Sequence, residues 1–166
     1  MPGVFELKRK NKYRDYMTRF TLVLAALLFA TGCINRATAT LSPGADLSKL
    51  KTFYVVHQPR DTRGIHILIR DRLTKEGLTA TAGPEASRPS NSVDSVITYV
   101  DRWMWDITLY LLELTVTLRD ATNSFPIALG NSYHTSLTRK SPEEMVDEVM
   151  SNIFNAGKQT TARAVP

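Results

Sequence analysis

The chain has 166 residues and a mass of 18.6 kDa, which is the size of a single domain. Apolar residues make up 43% and charged residues 22%, with eight glycines and eight prolines, and this composition excludes a wholly disordered chain, a collagen-like chain and a multi-span membrane protein. A single cysteine excludes an internal disulfide framework and a multi-cysteine zinc site, while the net charge of +5 raises the question of an anionic partner.

The amino-terminal segment has the pattern of a secretory signal peptide. Six basic residues lie before position 20, and residues 20–30 carry no charge. This apolar run is shorter than the roughly 20 residues that a stable membrane-spanning helix needs. Since basic flanks stay on the cytoplasmic side during export, the leader explains most of the positive charge. From Cys33 onward there are 15 basic and 14 acidic residues, so the charge gives no support to nucleic-acid binding.

Three small residues, Ala30, Thr31 and Gly32, lead directly into Cys33, the only cysteine of the chain. This pattern resembles the lipobox of bacterial lipoproteins. The resemblance implies that a signal peptidase recognises the three small residues and cleaves before Cys33. It also implies that the Cys33 thiol receives a diacylglycerol and its amino group an acyl chain, with no other cofactor. The membrane and the lipoprotein-processing and sorting machinery are then the first partners.

Ile34 follows the cysteine where this family uses aspartate for retention in the inner membrane, so the resemblance implies the periplasmic face of the outer membrane. Three acyl chains would anchor the protein firmly, since each buried CH₂ contributes about 0.8 kcal/mol. The signal peptide is assigned to residues 1–32, with Met17 as an alternative start of translation. Two alternatives stay open: a secreted protein with an unmodified cysteine, and an inner-membrane protein that keeps residues 20–30 uncleaved.

The remaining chain divides into three parts by composition. Residues 33–45 are mostly small and polar, which predicts a flexible tether. Residues 46–157 predict a single α+β domain. Residues 158–166 lack apolar periodicity and predict a disordered tail.

The first half of the domain begins with an aromatic and β-branched run at residues 52–56, which predicts a strand. Apolar residues at helical spacing then predict a helix that ends near Gly77. These residues are Ile65, Leu68, Ile69 and Leu73. A weak strand is predicted at residues 78–82, followed by a loop.

The second half predicts strands at residues 93–101, 109–119 and 127–136, and Gly130 is expected to weaken or bulge the last of them. The sequence Ser-Pro-Glu-Glu at residues 141–144 is a capping box, which predicts a helix that ends near Gly157. The element order predicts an α+β fold: an antiparallel or mixed sheet of four to five strands with two helices packed on one face.

Both tryptophans lie in the segment from Asp101 to Asp106. On a continuous strand, Asp101, Trp103 and Trp105 share one face, and together with Asp106 they form a candidate surface for a sugar ring or a partner chain. Alternatively, the tryptophans complete the core and Asp106 caps a turn. The segment resembles the D-x-W-x-W-D segment of small uncharacterised outer-membrane lipoproteins of proteobacteria, a resemblance that brings no established activity.

No catalytic residue and no metal site are predicted. The three histidines lack ligand spacing, and neither a nucleophile elbow nor a phosphate-binding glycine motif is present. We therefore expect a non-enzymatic, lipid-anchored protein that binds or scaffolds an envelope protein or glycan. The alternative is a glycan or peptidoglycan hydrolase that uses Asp101 and Asp106 beside the tryptophan pair.

Overall fold

A computed structural model describes Met17, residues 35–89 and residues 92–164, with side chains up to residue 160. The chain divides into two compact units, residues 1–33 and residues 34–166. Cys33 and the predicted recognition residues Ala30, Thr31 and Gly32 lie outside the described residues, so the lipobox stays a prediction. Among the residues that are described, no helix has the length and apolar character needed to cross a bilayer.

The described part of the second unit forms one mixed six-stranded sheet and two α-helices. In chain order the elements are β1 (Arg36–Leu41), β2 (Thr52–Val56), α1 (Ile65–Lys75), β3 (Thr79–Gly83), β4 (Ser95–Asp106), β5 (Thr108–Asp120), β6 (Pro126–Tyr133) and α2 (Pro142–Ala164). The strand order is β1-β6-β5-β4-β2-β3. Strand β2 runs parallel to β3 and β4, and the other neighbours are antiparallel. The α+β class is confirmed, but the sheet has six strands and not four to five.

The additional strand, β1, lies inside the segment that was predicted to be a flexible tether. It pairs with β6 along its whole length, from Arg36 opposite Tyr133 to Leu41 opposite Ala128. The structure therefore corrects the tether prediction over residues 36–41. Alternating alanine and threonine lack the large apolar residues that identify a strand in sequence. An edge strand is stabilised mainly by backbone hydrogen bonds to its one neighbour, which the side-chain pattern does not report.

Both helices pack against the same face of the sheet and share one core. The buried core residues of the helices are Ile65, Ile69 and Leu73 in α1, and Met145, Val146, Val149, Met150 and Ile153 in α2. They contact every second residue of the strands, on the face that the helices cover, such as Phe53 and Val55 in β2. The alternate β2 residues, Tyr54 and Val56, form a smaller cluster with Val96 on the other face. The connection from β3 to β4 contacts this second face, because Tyr54 Oη donates to the Pro84 carbonyl at 2.8 Å.

Gly130 allows α2 to lie close to the sheet. It pairs with Val116 and with Ala39 of β1, and the register shifts of β5 lie elsewhere, beside Arg102/Trp103 and Leu118/Arg119. A Cβ atom at Gly130 would stand 2.8 Å from side-chain carbons of Val149 and Ile153. The absence of a side chain here thus serves helix–sheet packing and does not create a bulge.

Helix α2 begins as its sequence predicts and ends later. Glu144 N donates to Ser141 Oγ at 3.2 Å, and Ser141 N donates to Glu144 Oε2 at 2.7 Å, which is the capping box. The helix then passes through Gly157 and continues to Ala164, so the predicted disordered tail is corrected over residues 158–164. Gly157 is buried, and a Cβ atom there would lie 2.9 Å from Leu47 Cδ1. This glycine makes room for Leu47 and does not end the helix.

Candidate functional site

An open cleft of about 430 Å³ lies between β4 and the loop of residues 57–64, which joins β2 to α1. Its lining residues are Gln58, Pro59, Arg60, Tyr99, Val100 and Asp101. Gly64 lies directly before α1 and has a φ of 75°, a left-handed conformation that glycine adopts without steric cost. The cleft thus combines Asp101, which the sequence predicted, with a loop that the sequence did not single out.

Asp61 is the buried centre of this loop. Its Oδ1 accepts hydrogen bonds from the backbone N–H groups of Arg63 at 2.8 Å and Gly64 at 2.9 Å. Its Oδ2 accepts from Tyr99 Oη at 2.7 Å and lies 3.1 Å from His66 Nδ1. Burial raises the pKa of the Asp61 carboxyl, but the bonds from Tyr99, His66 and the backbone outweigh burial and hold the pKa well below its usual range. Since an ionised carboxylate only accepts, His66 Nδ1 carries a proton.

Tyr99 ties β4 to the loop. Its hydroxyl donates to Asp61 and accepts a bond from Gln58 N at 3.3 Å. Burial raises the pKa of Tyr99, and the hydrogen bond to Asp61 raises it further. The phenol therefore stays neutral and acts as a fixed donor, which suits a structural link better than a base or a nucleophile.

His57, Asp61 and His66 are the described side chains that come close enough together to hold a metal ion, with ligand atoms within 4.8 Å of one another. The two imidazole rings lie with centroids 4.1 Å apart and tilted by 37°. His57 Nε2 lies 3.1 Å from the Asp61 carbonyl oxygen, and the Asp61 carboxylate already accepts bonds from side chains and backbone. A metal would have to displace one of these donors, so the group fits a structural network better than a metal centre.

Asp101 and Trp103 lie together beside this loop. Trp103 Nε1 donates to Asp101 Oδ2 at 2.6 Å, and the Arg63 guanidinium stands 4.4 Å from the centroid of the Trp103 ring. Trp103 is half-buried and packs against the main core. Half of the predicted surface is therefore engaged in holding the loop against β4.

Trp105 and Asp106 lie instead at the tip of the β4–β5 hairpin, where Trp105 is 71% exposed. Arg139 holds the tip by donating to the Asp106 carbonyl at 2.9 Å and pairing with the Asp106 carboxylate at 3.4 Å. Between the strands, Ile107 has φ of 61°, a conformation that costs a β-branched residue about 1–2 kcal/mol. An exposed isoleucine at a position that favours glycine points to a role outside the fold.

The structure does not bring the two predicted carboxylates together. Asp101 and Asp106 are five residues apart on β4, which at about 3.3 Å per residue separates their Cα atoms by about 16 Å along the strand. Glycosidase carboxyl pairs lie about 5 to 9.5 Å apart. Each carboxylate also has its own partner, Trp103 for Asp101 and Arg139 for Asp106.

A second polar cluster, which the sequence did not predict, lies where α2 meets β6. Glu148 Oε2 accepts from Ser132 Oγ at 2.6 Å and lies 2.7 Å from His134 Nε2, while Lys140 Nζ bonds to Oε1. Burial raises the pKa of Glu148, but the bonds from Lys140, Ser132 and His134 outweigh it and lower the pKa to about 2. A groove of about 730 Å³ adjoins this cluster between α1 and α2, and its charged side chains pair with one another, as Arg72 does with Glu76 at 2.6 Å.

No family model and no curated protein matches the chain. Solved structures do resemble it. A PelC dodecamer with a single substitution, from Paraburkholderia phytofirmans, is 15% identical with a TM-score of 0.55, and a PelC dodecamer from the same organism in another crystal form is 14% identical with a TM-score of 0.53. Each match covers 72% of this chain and 98% of PelC. A minor lipoprotein from Acinetobacter baumannii is 16% identical over 70% of this chain and 97% of its own, with a TM-score of only 0.32. The PelC comparison shows a shared fold.

Proposed function

We propose that this chain is a non-enzymatic lipoprotein, anchored by the lipids on Cys33 at the periplasmic face of the outer membrane, that serves as a binding or scaffolding component of the cell envelope. The observation that supports the scaffolding role is that the helices cover only one face of the sheet. Both helices pack on one face, and no described element covers the opposite face of β1, β6, β5 and the adjoining part of β4. An antiparallel sheet can leave one face to solvent, and in this proposal the open face is the surface on which a partner docks.

The open face is mostly polar and includes a few apolar side chains. Across the strands one row reads Thr40, Leu129, Thr117 and Thr98, and the next reads Thr38, Asn131, Thr115 and Val100. Leu129 is 40% exposed and Val100 is 61% exposed. Polar surroundings with a few exposed apolar residues are typical of a protein–protein interface.

We extend the proposal to self-association. PelC, whose fold this chain shares, forms a dodecamer. A scaffold made of copies needs no catalytic constellation, which agrees with carboxylates that are each bound to a neighbouring side chain and do not converge. Copies docked through the open sheet face would explain why Val100 is exposed in the middle of β4.

The mass of the acylated protein in detergent tests this proposal. We expect an oligomer by native mass spectrometry, and we expect Val100→Glu to shift it toward the monomer because a charge on the docking face must be desolvated. The matched control is Phe125→Glu, which places the same charge at an exposed apolar residue in the β5–β6 turn and leaves the oligomer intact. A wild-type monomer at all concentrations would rule out scaffolding by self-association.

The lipid anchor has its own test. Cells that express the wild-type chain should incorporate labelled fatty acid into it, and the protein should fractionate with the outer membrane. Cys33→Ser should incorporate none, because serine lacks the thiol that forms the thioether. An unlabelled wild-type protein would contradict the lipoprotein proposal, and labelled protein in the inner-membrane fraction would contradict the location alone.

A further inference from the structure

The β4–β5 hairpin projects beyond the rest of the sheet. Strand β6 pairs with β5 only from Glu113 onward, and β2 pairs with β4 only as far as Ile97. Residues 103–106 pair with residues 108–111, and among the described residues no third strand lies beside this end of the hairpin. Residues 104–109 at its turn are called the hairpin tip. The exposed apolar residues of this tip are Met104 (45%), Trp105 (71%), Ile107 (84%) and Leu109 (44%). Such a cluster on a projecting element marks a contact surface.

This tip lies at the end of the sheet from which the chain leads back toward Cys33. Arg139 Nη1 donates to Thr108 Oγ1 at 2.6 Å and thereby fastens the tip to the connection between β6 and α2. Thr138, the neighbouring residue, donates a hydrogen bond to the side chain of Asn35. Leu137, which precedes it, is 84% exposed. Thr138 and Arg139 thus link Asn35 to the hairpin tip by direct contacts, and Leu137 precedes them in the chain.

Asn35 is two residues from Cys33, so the covalent chain allows at most about 7 Å between their Cα atoms. The strand β1 begins at Arg36, which leaves no long tether between the lipid anchor and the fold. A body held this closely must present the end that carries Asn35 to the lipid surface. The same end carries five exposed apolar side chains: Met104, Trp105, Ile107, Leu109 and Leu137.

We propose that the hairpin tip, with Trp105 and Ile107, and the neighbouring Leu137 insert into the phospholipid leaflet that holds the acyl chains of Cys33. This inference rests on the proposed lipid anchor. Tryptophan suits the boundary of a bilayer because its ring is apolar while its N–H can bond to headgroups. Arg36, exposed at the start of β1, can face lipid phosphates. The contact fixes the orientation of the body on the membrane, with the strands directed toward the lipid.

Tryptophan fluorescence in brominated vesicles tests the insertion. The full-length acylated protein is reconstituted into vesicles of phosphatidylethanolamine and phosphatidylglycerol, with or without bromine on the acyl chains. We expect bromine to quench the wild-type emission, and we expect the loss to be several-fold smaller in Trp105→Phe, which retains only Trp103. Since Trp105 is exposed, this variant leaves the core intact. Trp103→Phe, which retains only Trp105, should show the complementary strong quenching.

The outcomes separate the two proposals. Protein that carries the fatty-acid label and floats with the vesicles, but whose Trp105 emission bromine does not reduce, overturns the insertion and leaves the lipid anchor standing. A blue-shifted but unquenched Trp105 also overturns it, because the tip would then be buried against protein. Absence of the label overturns both proposals, since the insertion depends on the anchor.

Discussion

Asp61→Ala is expected to destabilise the fold by about 3 to 5 kcal/mol, since it leaves buried donors without their acceptor. The Asp61 side chain is fully buried. Without it, the Tyr99 hydroxyl and the N–H groups of Arg63 and Gly64 lose the oxygen atoms that accept their hydrogen bonds. Urea unfolding of the detergent-solubilised protein measures the change. The matched control is Asp71→Ala on α1, whose carboxylate is 58% exposed beside Arg70, and which should change stability by less than about 0.5 kcal/mol.

The pH dependence of Asp61 follows from the lowered pKa of its carboxyl. A group whose folded pKa lies below the unfolded value contributes its full stabilisation above the unfolded pKa, here 3.8, and loses it as the pH falls through the folded value. Asp61→Asn should therefore be less stable than wild type at neutral pH and closer to it in acid. Equal stabilities at neutral pH would contradict the structural role of Asp61 and reopen the cleft as a candidate ligand site.

Most of the fold could be predicted because large apolar residues recur at the spacing of a strand or of a helix. Leu114, Val116 and Leu118 alternate with polar residues in β5, and the apolar residues of α2 recur at helical spacing, so the sequence pattern predicts both elements. The residues of these two patterns that face the core are buried. The edge strand β1 was missed because its stability comes from backbone pairing to β6. The end of α2 was missed because Gly157 has the residue type of a helix stop, while its real role is to admit Leu47, a contact made across 110 positions of sequence.

The site was less predictable, because its contacts join distant segments. Sequence placed Asp101 and Trp103 next to each other, and their hydrogen bond agrees with that spacing. It offered no reason to place Asp61 beneath Tyr99, since that contact spans 38 positions. The one local signal was that Asp61 is a capping type shortly before α1, and its carboxylate does bond to the N–H groups there. The exposure of Trp105 also could not be predicted from the alternation of apolar and polar residues along β4. It depends on where β6 stops pairing with β5 and where β2 stops pairing with β4.

The cluster around Glu148 gives the second large expected effect. Its carboxylate is the shared acceptor of Ser132, His134 and Lys140, and His134 Nδ1 has no hydrogen-bond partner among the described residues, so Glu148 is the one side chain that bonds to the buried ring. Glu148→Gln keeps the size of the side chain but removes the charge and turns one acceptor into a donor. We expect a loss of about 3 kcal/mol at neutral pH, in line with the lowering of the Glu148 pKa from 4.5 to about 2.

The pH profile distinguishes this electrostatic effect from a packing defect. The wild-type stabilisation by Glu148 is complete above pH 4.5 and disappears as the pH falls toward about 2, so wild type and Glu148→Gln should converge over that window. The control is Glu143→Gln, an exposed residue in the first turn of α2, where the lost interaction with the helix dipole costs about 0.5 kcal/mol. A gap between wild type and Glu148→Gln that stays constant from pH 7 to about pH 2 would mean that the glutamine disturbs the contact of α2 with β6 sterically, and that the carboxylate charge contributes nothing to holding the two together.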